Sequence, residues 1–231
     1  MTTLVIATRN SHKVGEIRAI LGKQFEYLSL NEFPGAPEVV EDATTFAGNA
    51  TKKAVELAKW ISTGVSAAKH RDTALQDALV LADDSGLEVD ALDGAPGVRS
   101  ARFAALDTGQ QGNSPSAVNN AKLVRLLKAV PREKRSARFK CVLALTPVLR
   151  GHAADASPVC YADEFEFQTR LFEGTCEGWI GFELRGSGGF GYDPLFFPLG
   201  YNQTFGELSE EEKNRLSHRA KALAELQKAL N

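Results

Sequence analysis

The sequence predicts an α/β protein, because two patterns alternate along the chain. Short, continuously apolar runs such as residues 4–7 and 79–82 are typical of buried strands. Between such runs, apolar residues recur at helical spacing, for example over residues 46–60 and 117–130. Strands that alternate with amphipathic helices are typical of α/β sheets.

Composition excludes several classes of protein. The chain has 231 residues, 43% hydrophobic and 24% charged, with a formal net charge of −2. That near-neutral balance argues against a dedicated nucleic-acid surface, which would show clustered Lys and Arg. The three cysteines are widely spaced and form no CxxC pair, which favours reduced thiols over disulfides or a zinc site. No signal peptide or membrane-spanning run is evident, so we expect a cytoplasmic protein without a membrane partner.

The first predicted strand, residues 4–7, leads into a polar turn and a helix marked by Val14, Ile17 and Ile20. Ligands of open α/β sheets bind at the carboxyl ends of strands, and a helix N-terminus there favours phosphate. Lys13 would add a positive charge to such a site. A plain N-cap by Asn10 or Ser11 beside a solvated lysine explains the same residues equally well.

Residues 25–30 predict a second strand, and a helix is expected from about Thr45 to Trp60. Glu41 lies just before that helix. It is a candidate metal ligand, although its only role could be to interact favourably with the helix dipole.

The central stretch, residues 79–93, places Asp83 and Asp84 directly after a buried apolar run and before Ser85. Adjacent strand residues point to opposite faces, so one carboxylate can face a cleft while the other is used locally. Hard oxygen ligands of this kind suit Mg²⁺. A solvated acidic turn at a strand end is the alternative. Residues 88–92 are predicted to form a hairpin partner.

The remaining segments continue the alternation. Residues 62–77 and 151–164 look like loop insertions, and residues 117–130 predict a helix. The further predicted strands are residues 137–146, 165–173 and 174–184.

Residues 185–194 combine four glycines with Phe190 and Tyr192. Glycines allow close backbone approach to a ligand, and the two aromatic rings could stack on a planar base. A flexible linker is disfavoured, because an apolar strand pattern follows at residues 195–197. The last helix is predicted to start with a capping box at Ser209, and His218 and Arg219 lie within it. Without context, those two side chains would simply be solvated.

Six separated motifs make the chain similar to one known family. They are Thr8-x-Asn10-x-x-Lys13, Glu41 before Thr45-Phe46-x-x-Asn49-Ala50-x-x-Lys53-Ala54, Ala82-Asp83-Asp84-Ser85-Gly86-Leu87, Gly94-Ala95-Pro96-Gly97-x-x-Ser100-Ala101-Arg102-Phe103, Gly188-Gly189-Phe190-Gly191-Tyr192-Asp193-Pro194 and Ser217-His218-Arg219. In this order they resemble the Ham1/inosine triphosphate pyrophosphatase family over nearly the whole chain.

The resemblance implies one catalytic domain over residues 1–231 with the ITPase-like fold shared by Maf and Ham1 proteins. In that fold an elongated mixed β-sheet is flanked by helices, and two lobes enclose a central substrate cleft. It further implies a homodimer and Mg²⁺-dependent hydrolysis of ITP, dITP and XTP to the monophosphate and pyrophosphate. Such hydrolases keep deaminated purines out of DNA and RNA.

The resemblance also implies residue roles. Asp84 would be the catalytic carboxylate and a metal ligand, with Glu41 as the second metal ligand and Asp83 secondary. The substrate-binding residues would be Thr8, Arg9, Asn10, Ser11, His12, Lys13, Lys53, Ser85, Phe190, Gly191, Tyr192, Asp193, Lys213, His218 and Arg219. Arg219, backed by His218, would donate to the 6-oxo group that distinguishes hypoxanthine and xanthine from adenine.

Two positions depart from the pattern of the family. Arg9 stands where relatives often have Gly, and Gly48 stands where many have Glu, which removes one candidate metal ligand. Two alternative functions also stay open. One is a nucleotide-binding regulatory protein of the same fold, and the other is a Maf-like pyrophosphatase of other modified nucleotides.

Overall fold

A computed structural model describes residues 1–63, 75, 77–107, 109, 112–149 and 164–230. Its strands are β1 (Thr2–Ile6), β2 (Phe25–Ser29), β3 (Leu79–Val89), β4 (Ser136–Pro147), β5 (Arg170–Ile180) and β6 (Phe196–Pro198). Its α-helices are α1 (Ser11–Leu21), α2 (Phe46–Ser62), α3 (Ser116–Leu126), α4 (Glu164–Phe167), α5 (Glu210–Leu216) and α6 (His218–Leu230).

The strands form one six-stranded sheet in the order β2-β1-β3-β4-β5-β6. β1 pairs in parallel with β2 and β3, whereas β5 and β6 are antiparallel. The sheet is therefore mixed, which confirms the predicted α/β fold with a mixed sheet flanked by helices.

The chain folds into two compact units that are not continuous in sequence. The first unit contains Met1–Asp84, Val142–Phe172 and Leu226–Asn231, and the second contains Ser85–Cys141 and Glu173–Glu225. The chain passes from one unit to the other within β3, β4, β5 and α6.

In the first unit, β1 is almost entirely buried, as its continuous apolar sequence predicts. Helix α2 buries a stripe of small and branched residues. The stripe includes Ala50, Ala54, Leu57, Ala58 and Ile61. Small residues on that face allow close packing of the helix, and the burial supplies most of its stability.

In the second unit, a hydrophobic core forms around Phe139 of β4 and the aromatic residues near β6. The ring centroids of Phe139 and Phe196 lie 4.7 Å apart in an edge-to-face arrangement, and those of Phe196 and Phe205 lie 5.1 Å apart. Tyr192, from the glycine-rich segment at residues 185–194, is part of this core.

Three predictions of secondary structure are wrong, two of them for strands and the third for the last helix. Residues 88–92 are no hairpin partner, because β3 continues through Val89 and residues 90–92 form a 3-10 turn. β3 stays extended past the paired acids because Leu87 and Val89 are fully buried. Residues 165–173 do not form one strand, since α4 ends at Phe167 and β5 begins at Arg170.

The long C-terminal helix is two helices, because Ser217 is extended between α5 and α6. Of the predicted capping box at Ser209, the serine half is present, since its hydroxyl accepts a hydrogen bond from Glu212 N at 3.2 Å.

The two predicted loop insertions, residues 62–77 and 151–164, lie largely outside the described residues, and so does Cys160. Within the part of the chain that is described, no helix has both the length and the apolar character needed to cross a bilayer.

Candidate active site

The turn between β1 and α1 is organised by its own side chains. Asn10 caps α1, since its Oδ1 accepts hydrogen bonds from His12 N at 2.9 Å and Lys13 N at 3.3 Å. Asn10 N in turn donates to Thr8 Oγ1 at 3.2 Å. Arg9, Asn10, Ser11 and His12 are exposed, so the start of α1 is open to solvent.

Lys13 reaches back from α1 to β3 and forms an ion pair with the carboxylate of Asp83. The Asp83 side chain is almost fully buried, at 1% exposure, whereas that of Lys13 is 17% exposed. Asp83 is thus used locally, to hold a lysine in place.

Asp84 occupies the opposite face of β3 and is also buried. Its Oδ2 accepts from Asn49 Nδ2 at 3.1 Å, and its Oδ1 accepts from Lys53 Nζ at 3.2 Å. Burial raises the pKa of the Asp84 carboxyl above its usual value, and the charge of Glu41 acts in the same direction. The charge of Lys53 only partly offsets these effects.

Lys53 is the centre of this group. Its Nζ donates to Asp83 O at 2.8 Å and to Glu41 Oε1 and Asp84 Oδ1 at 3.2 Å each. Burial alone would lower the pKa of Lys53, but the carboxylates of Asp84, Glu41 and Asp83 outweigh it and raise the pKa. The ammonium therefore stays charged.

Asn49 is a functional candidate that sequence reasoning left without a role. It is fully buried on α2, where its Oδ1 accepts from Ala43 N at 3.0 Å while its amide group holds Asp84. The position of Asn49 in the sequence indicates that its side chain is buried. Asn49 and Lys53 both fall on the apolar stripe of α2, three residues after Phe46 and Ala50, where a polar residue needs a buried partner.

We call these side chains the carboxylate–lysine cluster, and all of them belong to the first unit. They are Lys13, Glu41, Asn49, Lys53, Asp83 and Asp84.

The carboxylates of Glu41 and Asp84 both accept a hydrogen bond from the ammonium group of Lys53. Hard oxygen donors placed this close together are the kind of ligand that Mg²⁺ accepts. Among the described residues, no set of three or more His, Cys, Asp or Glu side chains is arranged to hold a metal ion. The two carboxylates fit a divalent cation whose shell is completed by water and phosphate oxygens, the usual way in which Mg²⁺ is bound.

The second group of predicted residues belongs to the second unit. Lys213 on α5 donates to Asp193 Oδ2 at 2.7 Å, and Phe190 N donates to the same oxygen at 2.8 Å. Lys213 Nζ also lies 4.8 Å from the centre of the Phe190 ring, within range of a cation–π interaction. Gly189 has a φ of +71°, and a Cβ there would lie 2.1 Å from Asp193 Oδ2, so only glycine fits.

Tyr192 lies in the core of the second unit and is buried. Its hydroxyl donates to Ser100 O at 2.9 Å, and burial raises its pKa well above the usual range. The ring therefore presents almost no surface for stacking in this structure, whereas the Phe190 ring is partly exposed.

Ser217, His218 and Arg219 lie where α5 gives way to α6, and they are buried rather than solvated. The His218 ring stacks on Phe139, with centroids 4.8 Å apart and planes 11° apart. The Arg219 side chain is directed to Phe190, whose ring centre is 5.8 Å from its Cζ, and its Nη2 lies 3.4 Å from Ser85 Oγ.

We call this second group the aromatic–cation cluster. It comprises Ser85, Phe190, Asp193, Lys213 and Arg219. Two buried cations next to one aromatic ring provide stacking and hydrogen-bond donation, the two interactions by which a planar base with oxygen substituents is bound.

The chain is similar in sequence to a known family of proteins and to several of its members. The sequence model of the Ham1 family matches residues 4–229. The chain is 47% identical to the dITP/XTP pyrophosphatase of Desulforamulus reducens, over 99% of this chain and 95% of the relative. It is 46% identical to the dITP/XTP pyrophosphatase of Geobacter sulfurreducens, over 97% of this chain and 94% of the relative.

Among solved structures, a HAM1 protein from Coxiella burnetii matches with a TM-score of 0.73 and 34% identity, over 100% of this chain and 98% of the other. A nucleoside-triphosphatase / dITP/XTP pyrophosphatase from Mycobacterium abscessus matches with a TM-score of 0.63 and 35% identity, over 97% of this chain and 98% of the other.

Proposed function

Because the chain belongs to the Ham1 family, we propose that it is a nucleoside triphosphate pyrophosphohydrolase. Its substrates are the non-canonical purine nucleotides dITP, ITP and XTP, and its products are the monophosphate and pyrophosphate. The enzyme thereby removes deaminated purines from the nucleotide pool. Relatives named dITP/XTP pyrophosphatase, aligned over nearly the full chain, support this proposal.

The observation that carries the proposal is the carboxylate–lysine cluster. Lys53 joins the carboxylates of Glu41 and Asp84, and Lys13 pairs with Asp83, the residue before Asp84. The acids and lysines neutralise one another in the structure, and such clusters of perturbed acids and bases are common where a charged ligand is bound. A polyphosphate with a divalent cation is such a ligand.

Lys13 and Lys53 bind the triphosphate in this proposal. Phosphoryl transfer depends mainly on positioning and on neutralising charge, so two fixed ammonium groups serve both needs. The open N-terminus of α1 adds the favourable end of a helix dipole, and Thr8, Ser11 and neighbouring polar groups supply neutral hydrogen bonds.

Asp84 is the catalytic carboxylate. It orients the attacking water and accepts its proton, a task for which an ordinary aspartate is a weak base. Burial raises the pKa of Asp84 in the metal-free protein, whereas a bound cation would lower it, so the acidity of a metal-coordinated water would supply the remaining driving force. Asn49 fixes the second oxygen of the carboxylate, so the acceptor atom has a defined direction.

Glu41 and Asp84 would hold the metal ion, which we propose to be Mg²⁺. When bound, the ion neutralises phosphate charge and lowers the pKa of a coordinated water. Lys53 Nζ lies between the same two carboxylates and is the group that must move when an ion binds there.

The aromatic–cation cluster binds the purine. Phe190 stacks on the base, and Arg219 donates to the 6-oxo group of hypoxanthine or xanthine. Because arginine has no acceptor, the amine of adenine would face a donor and stay unpaired. Lys213 is held by Asp193 beside the same ring. His218 supports Arg219 from the core through its stack on Phe139.

The test is pyrophosphate release from ITP in the presence of Mg²⁺, comparing the wild type with Asp84→Asn. We expect turnover to fall by about 10³-fold or more, because the amide neither accepts a proton nor holds the cation. Asp107→Asn is the control, since Asp107 is an exposed acid paired with Lys122. Near-normal turnover by Asp84→Asn would reject the mechanism. A wild type inactive on every non-canonical purine triphosphate would reject the function.

We further propose that the protein is cytoplasmic and forms a homodimer. The buried thiol of Cys176 supports a reducing compartment. Sedimentation velocity over a range of concentrations tests the dimer.

A further inference from the structure

Helix α3 contributes a buried side chain to the glycine-rich loop around Phe190. Asn120 is only 4% exposed, and its Nδ2 donates to the carbonyl oxygen of Gly191 at 3.0 Å. The two residues are 71 positions apart, so this is a tertiary tether. Gly191 is the residue that separates Phe190 from Tyr192.

The other half of the Asn120 amide is unsatisfied. Its Oδ1 is buried and has no hydrogen-bond partner within the described ranges of the chain. A buried acceptor without a donor reduces stability, and an apolar side chain of similar shape would avoid that cost. Packing alone therefore does not explain an asparagine at this position.

The preceding residue provides a contrast. Asn119 is equally buried, yet its Oδ1 accepts from Ala104 N at 2.8 Å and its amide donates to Ala101 O and Ser114 O. Both the oxygen and the nitrogen of the Asn119 amide thus have partners, which lie in residues 101–114. Two adjacent, chemically identical side chains perform different tasks.

The loop needs a tether because its backbone is unusual. Gly189 and Gly191 both have left-handed φ values, +71° and +62°. Glycine pays a large conformational entropy cost when it is fixed in one such conformation. A hydrogen bond to the Gly191 carbonyl selects one arrangement of the loop and with it the position of the Phe190 ring.

We propose that Asn120 is a positioning residue for recognition of the purine. It fixes the carbonyl of Gly191 and thereby holds the Phe190 ring at its place beside Lys213 and Arg219. This inference rests on the proposed function, because it assigns the purine to Phe190. It predicts that Asn120 affects the binding of nucleotide and leaves the hydrolytic step unchanged.

The first test is Asn120→Leu, which keeps the approximate volume and removes the tether. We expect the KM for ITP to rise about tenfold while kcat stays within about twofold, since the carboxylate–lysine cluster is untouched. The midpoint of thermal unfolding should change little, because removal of the unsatisfied acceptor offsets the lost hydrogen bond.

The second test is Asn120→Asp, which makes the tether depend on pH. A neutral carboxylic acid can donate to the Gly191 carbonyl, whereas a carboxylate can only accept. We therefore expect a KM close to that of the wild type in acid and a KM that rises with pH as the carboxyl ionises. The wild type, measured in parallel, should lack this component of the pH profile.

Asn119→Ala is the matched control. It should lower the unfolding midpoint and leave the KM for ITP unchanged, the opposite pattern to Asn120→Leu. If Asn120→Leu fails to fold, the pH profile of Asn120→Asp decides alone.

An unchanged KM in Asn120→Leu or a flat profile in Asn120→Asp would overturn the inference, provided that the wild type hydrolyses ITP. A wild type without ITP hydrolysis would instead reject the proposed function.

Discussion

At the scale of single residues, Lys53 determines the charge of the carboxylate–lysine cluster. Its ammonium bonds to Glu41, to Asp84 and to the backbone of Asp83, so it satisfies acceptors that a divalent cation would otherwise bind. If Glu41 and Asp84 hold the metal ion as proposed, the lysine and the ion would compete for the same oxygens. Phosphate oxygens of a bound substrate would then give the ammonium new partners.

Replacing Lys53 by methionine should separate these two roles. Hydrolysis of ITP should fall by about 100-fold or more, because a phosphate-binding charge is lost. Binding of Mn²⁺ without nucleotide should become at least about tenfold tighter, because a like charge has been removed from between the two carboxylates. Titration calorimetry measures the ion, and pyrophosphate release measures the activity.

The control for this experiment is Lys52→Met. Lys52 is the preceding residue on α2, but its Nζ pairs with the exposed Asp42. It should change neither property by more than about twofold. Weaker binding of Mn²⁺ by Lys53→Met would contradict competition between the lysine and the metal ion.

Arg219 is the residue that should set the choice of base. Replacing it by glutamine provides an acceptor next to the donor, so the site can pair with the amine of adenine. We expect the ratio of kcat/KM for ITP to that for ATP to fall by about tenfold or more. The control is Arg215→Gln, on the exposed side of α5. An unchanged ratio would mean that another group recognises the base.

At the scale of elements, the C-terminal end of α3 is held by a buried arginine that bonds to backbone carbonyls and has no carboxylate partner among the described residues. Arg135 is 1% exposed, and its guanidinium donates to Leu127 O and Val130 O on one side and to Gly181 O on the other. Leu127 O also accepts from Val130 N at 2.9 Å, so the arginine adds a second bond there and supplies a donor for carbonyls just past the ends of α3 and β5. The planar fork of arginine reaches acceptors in several directions at once.

Arg135→Lys should therefore destabilise the fold although the charge is kept. An ammonium on a flexible chain cannot replace all of these bonds, and we expect a loss of about 2–4 kcal/mol in the free energy of unfolding. Urea denaturation measures the loss. Arg125→Lys, which changes an exposed arginine on α3, should cost less than about 0.5 kcal/mol. Equal stability of Arg135→Lys and the wild type would show that water satisfies these carbonyls.

Element boundaries show where pattern reasoning succeeded and where it failed. β1, β2 and α2 lie within two residues of their predicted bounds, because a continuous apolar run marks β1 and apolar residues at helical spacing mark α2. The extension of β3 through Ser85 and Gly86 was missed, since those residues are typical of turns, whereas Leu87 and Val89 beyond them are buried in the second unit's core. The break at Ser217 was missed as well, because its neighbours form helices readily.

At the scale of the whole molecule, residue patterns predicted an α/β fold, and the motifs predicted the family and, through that resemblance, the mixed sheet. Which residues share a unit was not predictable, because each unit is assembled from separate parts of the chain. The partners of Asn49 and Asn120 illustrate the limit. Burial of an amide can be inferred from its place on an apolar helix face, but its partner lies 35 residues away in one case and 71 in the other.

The core of the second unit should also make the protein sensitive to alkali. Burial raises the pKa of the Cys176 thiol from 9.0 to about 11. The unfolded chain then loses this proton at lower pH than the folded one. Stability from this group is complete below about pH 9 and falls as the pH rises towards 11, by about 3 kcal/mol in total. Tyr192 acts in the same direction at higher pH, because its buried hydroxyl also has a raised pKa.

Unfolding midpoints measured between pH 7.5 and pH 10.5 test this expectation. The wild type should lose stability steadily over that range, and Cys176→Ala should lose less, because the variant has no thiol to ionise at that position. Tyr192→Phe should differ from the wild type only near the upper limit, since phenol ionises later than thiol. The difference between the slopes isolates each group from the surface lysines, which titrate in all three proteins. Identical slopes for the wild type and Cys176→Ala would mean that the thiol ionises as easily in the folded protein as in the unfolded chain, and the packing around β5 would then have to admit water.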